Sequence, residues 1–239
     1  MISIEKIANK IAIFLADNMD DYINISEIRA KRRHKEYELL NRKEAISFMQ
    51  FGIEGILGDF VKTLIILLIG IPLKILIPSI FIMITFCTLR PLSGGVHMGN
   101  YTKCLSLGSV LFLGFAWLIQ NYSKYIYIDL INVIYGFIIL ILVLIVGIFA
   151  PVDCPNKPIL ELDKPKFKML SMIQILIVGV ILSIIPDKYY IIKISMITGL
   201  ILQVFNITPF GIKFFNNIEC IVDKIFSVLK NLLKRKEMI

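Results

Sequence analysis

Fifteen residues bring a histidine and a cysteine into one short stretch: Arg90-Pro-Leu-Ser-Gly94-Gly95-Val-His97-Met-Gly-Asn100-Tyr-Thr-Lys-Cys104. His97 is one of two histidines, and Cys104 opens an apolar stretch. A thiolate is the useful nucleophile, and both a helix N-terminus and a neighbouring imidazolium favour that form. A Cys104–His97 dyad therefore makes chemical sense. On one unbroken helix the two would share a face but sit about 10 Å apart along the axis. Proton transfer needs about 3 Å. The segment must fold back between them, and Gly94, Gly95 and Gly99 permit such a loop. Free N–H groups around Gly94–Gly95, or at the start of the following helix, could stabilise an oxyanion. The bland alternative is an interfacial histidine beside a packed cysteine.

The neighbours each admit two readings. Arg90 precedes Pro91, expected to end its helix, and serves as a snorkelling anchor or as a contact to substrate or oxyanion. Asp153 is a turn residue beside Pro151 and Pro155, or it orients His97 or binds substrate. Asn100 and Ser93 are equal candidates for orienting the imidazole. Cys87 lies inside an apolar span, Cys154 in a loop is the main competing nucleophile, and neither Cys87, Cys154 nor Cys220 is expected to be catalytic. His34 reads as a surface residue. Gathering Cys87, His97, Cys104 and Cys154 around zinc would need a spacing that matches no known cluster. The chain has no G-x-x-x-x-G-K-[ST] phosphate loop and no HExxH, so no cofactor or metal is expected.

The elements that must position these residues are apolar. The chain has 239 residues, 57% of them hydrophobic and 18% charged, with a mean hydropathy of +0.79. Soluble domains are nearer half apolar and a quarter charged. A single soluble core could not hide this much Ile, Leu and Phe, disorder needs low hydrophobicity, and four cysteines are too few and scattered for a disulfide scaffold. The expected fold is an all-α polytopic membrane protein. About six transmembrane helices are expected, at 53–71, 73–89, 104–122, 126–150, 167–185 and 189–210. The second, holding Pro72 and Pro78, is the weakest, with a tilted hairpin or partly re-entrant path as the alternative.

Three regions follow: 1–52 cytoplasmic or interfacial, 53–210 the six-helix catalytic domain, and 211–239 a basic amphipathic helix. In the first, Ile4, Ile7, Ala8, Ile11, Ala12 and Leu15 repeat at helical spacing. In the last, Phe215, Ile218, Val222, Ile225, Leu229 and Leu232 do the same, for a membrane-lying helix or a contact between protomers. The basic run Arg29, Lys31, Arg32, Arg33, His34, Lys35 is a solvated face near headgroups or a place to capture an acidic peptide. The net charge of +8 is read as membrane-directed, with no nucleic-acid motif present. Assigned to alternate sides, the loops carry 21 Lys/Arg against 3. Both termini and the 90–103 and 151–166 loops are expected on the cytoplasmic side.

The string R-x-x-x-G-G-x-H-x-x-x-x-x-x-C resembles the accessory gene regulator protein B (AgrB) family. Ala150-Pro151-Val152-Asp153-Cys154-Pro155-Asn156-Lys157-Pro158-Ile159 is similar to its Ala-Pro…Lys-Pro loop, and Phe51-Gly52-Ile53-Glu54…Lys62 matches near the first span. The resemblance covers roughly 40–210. It implies a multi-pass bacterial cell-membrane cysteine endopeptidase of Gram-positive quorum sensing. Such an enzyme removes the C-terminal tail of a short AgrD-like propeptide through an enzyme thioester. A cysteine or serine inside the peptide then attacks, giving a thiolactone or lactone, the precursor of an autoinducing peptide. Cys104 is then the nucleophile, His97 the base, and Arg90, Gly94 and Gly95 accompanying residues. The resemblance also implies a propeptide with an amphipathic helix and acidic tail, and a homodimer. The competing class is a non-enzymatic peptide or solute transporter in which Glu54, Asp59 and Lys62 line a path.

Overall fold

The computed structural model describes residues 4–18, 42–96, 101–125, 128–153 and 163–236. Among them the chain is helical, with no strand and a single isolated bridge between Gly94 and Val152. The helices are α1 (Ile4–Asn18), α2 (Arg42–Gly70), α3 (Leu76–Ser93), α4 (Tyr101–Tyr122), α5 (Ile128–Phe149), α6 (Lys164–Ile184), α7 (Tyr190–Ile207) and α8 (Pro209–Lys236). Two compact units divide the chain, Met1–Leu64 and Ile65–Ile239.

In the first unit, α1 buries Ala8, Ala12 and Ala16 and leaves Ile7, Ile11, Phe14 and Leu15 exposed. The period of four expected from the sequence is present, but the buried stripe is the alanine row and the larger residues face outward. The small side chains let that face approach other atoms closely. The helix α2 runs continuously through position 52. Along it Lys62 pairs with Asp59 at 3.1 Å and Gln50 donates to Glu54 at 2.7 Å. Glu54 and Lys62 thus have different near neighbours, because i, i+3 and i, i+4 contacts are within reach and i, i+8 is two turns away.

In the second unit, α3, α4, α6 and α7 are each long and apolar enough to cross a membrane, over Leu76–Ser93, Lys103–Tyr125, Lys164–Ile184 and Asp187–Ile207. These correspond to four of the six expected spans. A fifth apolar stretch, Ile134–Phe149, lies on α5. The span expected at 53–71 falls on the end of α2, where Glu54, Asp59 and Lys62 interrupt the apolar run. The expected second span is a regular helix. Pro72 lies in the turn 71–74, which Ile75 N–H closes on Gly70 O at 2.9 Å, and Pro78 lies in the first turn of α3.

The central elements are α3 and α7, which among the described residues pack together most extensively. Gly199 makes that crossing possible. A Cβ there would lie 2.0 Å from Thr85 Oγ1 and 2.4 Å from the Ile82 carbonyl oxygen. Around this pair, Leu89, Leu142, Val146, Ile175, Leu182, Leu200 and Val204 form one buried cluster, and Ile66, Ile75, Ile82 and Phe112 form a second. The outer faces are apolar too. Leu140, Leu144 and Ile148 on α5, and Leu176, Val180 and Ile184 on α6, are exposed at four-residue spacing. Such stripes are unfavourable in water and favourable against hydrocarbon. Their arrangement is that of a membrane protein.

Candidate active site at one end of the helix bundle

The helix α3 passes through Pro91 and stops at Ser93, three residues later than its proline suggested. Proline there removes one backbone donor and crowds the carbonyl four residues earlier, and the helix continues only two residues beyond it. The stop comes at Gly94, whose N–H still bonds Arg90 O at 3.0 Å while its φ is +72°. Gly95 follows at φ +130°. Side chains rarely adopt such angles, so the sequence Gly-Gly is what lets the chain turn here.

Contacts from two other segments, and one from α3 itself, hold this turn. Val152, just after α5, donates its N–H to Ser93 O at 3.0 Å and forms the bridge with Gly94. Gln203 of α7 donates from Nε2 to Ser93 Oγ and to Gly94 O, both at 2.8 Å. Asn206, one turn further along α7 and 4% exposed, has Nδ2 2.9 Å from where a Cβ on Gly95 would stand. Arg90 turns its guanidinium back over the Phe86 ring and donates from Nη2 to Val96 O at 2.8 Å. Neither of the two sequence readings of Arg90 included this bond to its own loop. Gly94's N–H, weighed as an oxyanion donor, is spent on the helix end.

Cys104 is the fourth residue of α4, half-buried and with a free thiol. Its predecessor Lys103 forms an ion pair with Asp223 of α8 and lies 3.6 Å from Glu219. Phe205 at the end of α7 meets the rings of Phe210, Phe214 and Phe215, which seats α8 against α7. Asp153 pairs with Lys164 at the start of α6 at 2.9 Å, one residue beyond the Val152 bridge. His97 and Asn100 lie outside the described residues, as do Cys154 and the basic run with His34. Cys87 is half-buried within α3, and Cys220 is exposed on α8. Among the described residues no group of three or more His, Cys, Asp or Glu side chains is placed to hold a metal ion.

The structure thus gathers Arg90, Ser93, Gly94, Gly95 and Asp153 around the joined ends of α3, α5 and α7 and the start of α6. Sequence reasoning missed Gln203 and Asn206. Their signal was present: both are amide side chains inside an apolar span, where polar residues are costly and face the bundle interior. The same span holds Lys193, 3% exposed, paired with Asp187 at 2.7 Å and 5.9 Å from the Tyr135 ring.

Three comparisons bear on identity. The family described as Accessory gene regulator B matches residues 9–207. An AgrB-like protein of Clostridium perfringens strain 13 is 23% identical over 218 residues, covering 84% of this chain and 98% of that one. The accessory gene regulator protein B of Staphylococcus intermedius is 26% identical over 180 residues, covering 73% and 91%. No solved structure matches the chain. The family match takes in the glycine turn, Cys104 and the amide-bearing face of α7, and the chain belongs to the accessory gene regulator B family.

Proposed function

We propose that this protein is a membrane cysteine endopeptidase that trims and cyclises a quorum-sensing propeptide, with Cys104 as nucleophile and His97 as general base. One observation carries the reading. A free cysteine stands in the first turn of a membrane helix, downstream of a glycine turn held by two other segments. The first-turn N–H groups of such a helix have no intrahelical partner and point toward incoming negative charge. They are the natural oxyanion donors.

In the proposed sequence, His97 takes the Cys104 proton and the thiolate attacks the scissile carbonyl. The peptide C–N bond breaks, the new C–S bond forms, and His97 returns the proton to the leaving amine. A cysteine within the bound peptide then attacks the thioester. Its thiolactone replaces the enzyme thioester, and Cys104 is regenerated. One thioester is exchanged for another, so little bond energy changes. Hydrolysis would be strongly downhill, and exclusion of water under the apolar helices favours the internal thiol.

Assigned to alternate sides by sequence, the segments on the side of the 90–103 and 151–166 loops carry 21 Lys/Arg against 3, which supports a cytoplasmic site and cytoplasmic termini. A propeptide with an amphipathic helix and an acidic tail would complement them, and a homodimer is the proposed assembly. The test is processing of the neighbouring-gene propeptide in liposomes, read by mass spectrometry. Cys104→Ala and His97→Ala are expected to abolish both the released tail and the cyclic product, with Cys154→Ala active. Cleavage by Cys104→Ala would overturn the assignment and favour the transporter reading, in which Glu54, Asp59 and Lys62 are the indispensable residues.

A further inference from the structure

Gln203 is fully buried in an apolar helix, where a polar side chain is costly unless its groups are paired. Its pairing is one-sided. The Nε2 group donates twice, to Ser93 Oγ and to Gly94 O, each at 2.8 Å. The Oε1 atom is buried with no partner among the described residues. An amide placed for stability alone would satisfy both ends or be replaced by an apolar residue. A local rule broken in the core marks a place where geometry matters more than stability. Both donated bonds fall on one turn, across 110 and 109 residues of sequence. The same turn receives Asn206 against Gly95 and the Arg90 bond to Val96 O. His97 is the next residue in the chain.

We infer that Gln203 is a positioning residue for the reaction: its amide locks the Ser93–Gly94 turn and so fixes where the chain delivers His97 to Cys104. This rests on the Cys104–His97 reading above. Asn206, one turn along the same face, stands close against Gly95.

The test reads thiol reactivity without substrate. Full-length protein retaining Cys104 as its single cysteine is reconstituted in liposomes. Its alkylation rate by iodoacetamide is then measured against pH, beside the thermal unfolding midpoint. His97→Ala is expected to move the profile to higher pH. Gln203→Met keeps the side-chain length and removes the donor. It is expected to move the profile the same way, lowering the neutral-pH rate about tenfold with the unfolding midpoint kept. Ser195→Ala alters another buried polar side chain of α7, whose hydroxyl bonds only its own helix at Ile191 O, and is expected to leave the profile unchanged. A shift in His97→Ala with a parent-like profile in folded Gln203→Met overturns the inference alone. An unshifted His97→Ala overturns the pairing and the inference with it. Should Gln203→Met fail to fold, Ser93→Ala removes one of the two acceptors. The same direction of shift supports the inference, and a parent-like profile overturns it.

Discussion

A Cβ on Gly94 would stand 2.1 Å from the Val152 carbonyl oxygen, while one on Gly95 would meet Asn206 Nδ2 at 2.9 Å. The first obstacle is backbone, the second the end of a side chain. Both positions also carry a φ that L residues rarely adopt. Gly94→Ala is therefore expected to destabilise by about 1–3 kcal/mol from strain alone, and Gly95→Ala by less. Detergent-solubilised thermal unfolding would rank them. Gly94→Ala is expected to lose propeptide processing altogether, since the displaced turn precedes His97. These glycines were legible from the sequence, because only a residue without a side chain suits a sharp turn between two helices. The partners of Gln203 were not, because they lie about 110 residues away, and no periodicity of its own helix names them.

Between elements, α3 and α7 approach closely at Gly199. Gly199→Ala would push a methyl group into Thr85 Oγ1 and the Ile82 carbonyl. The expected cost is about 1–3 kcal/mol, the range for overpacking a well-packed core. Gly114→Ala on α4 is the matched control: nothing lies within 4 Å of its added Cβ, and helix propensity favours alanine. A fall in unfolding midpoint for Gly199→Ala with none for Gly114→Ala would confirm that the crossing, and not glycine content, sets stability. The same crossing brings Gln203 to Ser93, so Gly199→Ala is also expected to slow Cys104 alkylation. A second joint ties α8 to the reactive helix through Lys103 with Asp223 and Glu219. Lys103→Gln is expected to loosen α8, read as faster limited proteolysis between 209 and 236.

For the molecule as a whole, orientation is the open physical variable, and charge asymmetry argues it. Cys220 is exposed on α8, at the end of the bundle carrying the candidate site. In a protein keeping Cys220 as its single cysteine, a membrane-impermeant maleimide is expected to label inverted vesicles and spare right-side-out cells. The reverse labelling would put the site outside. The sequence by itself determined the all-helical membrane class, the Cys104–His97 string and the glycine turn. Those properties follow from local composition, spacing and backbone freedom. It also placed the ends of most helices to within a few residues. Tertiary structure alone decided that α1 buries its alanines and leaves Ile7, Ile11 and Ile13 exposed, that Arg90 bonds its own loop, and that Val152, Gln203 and Asn206 converge on one turn. The last depends on which surfaces of distant helices meet. Apolar residues occur on both the lipid-facing and the core-facing sides of membrane helices, so hydropathy cannot tell the two apart. Close packing at Gly199 and hydrogen bonds across the bundle select the faces that meet.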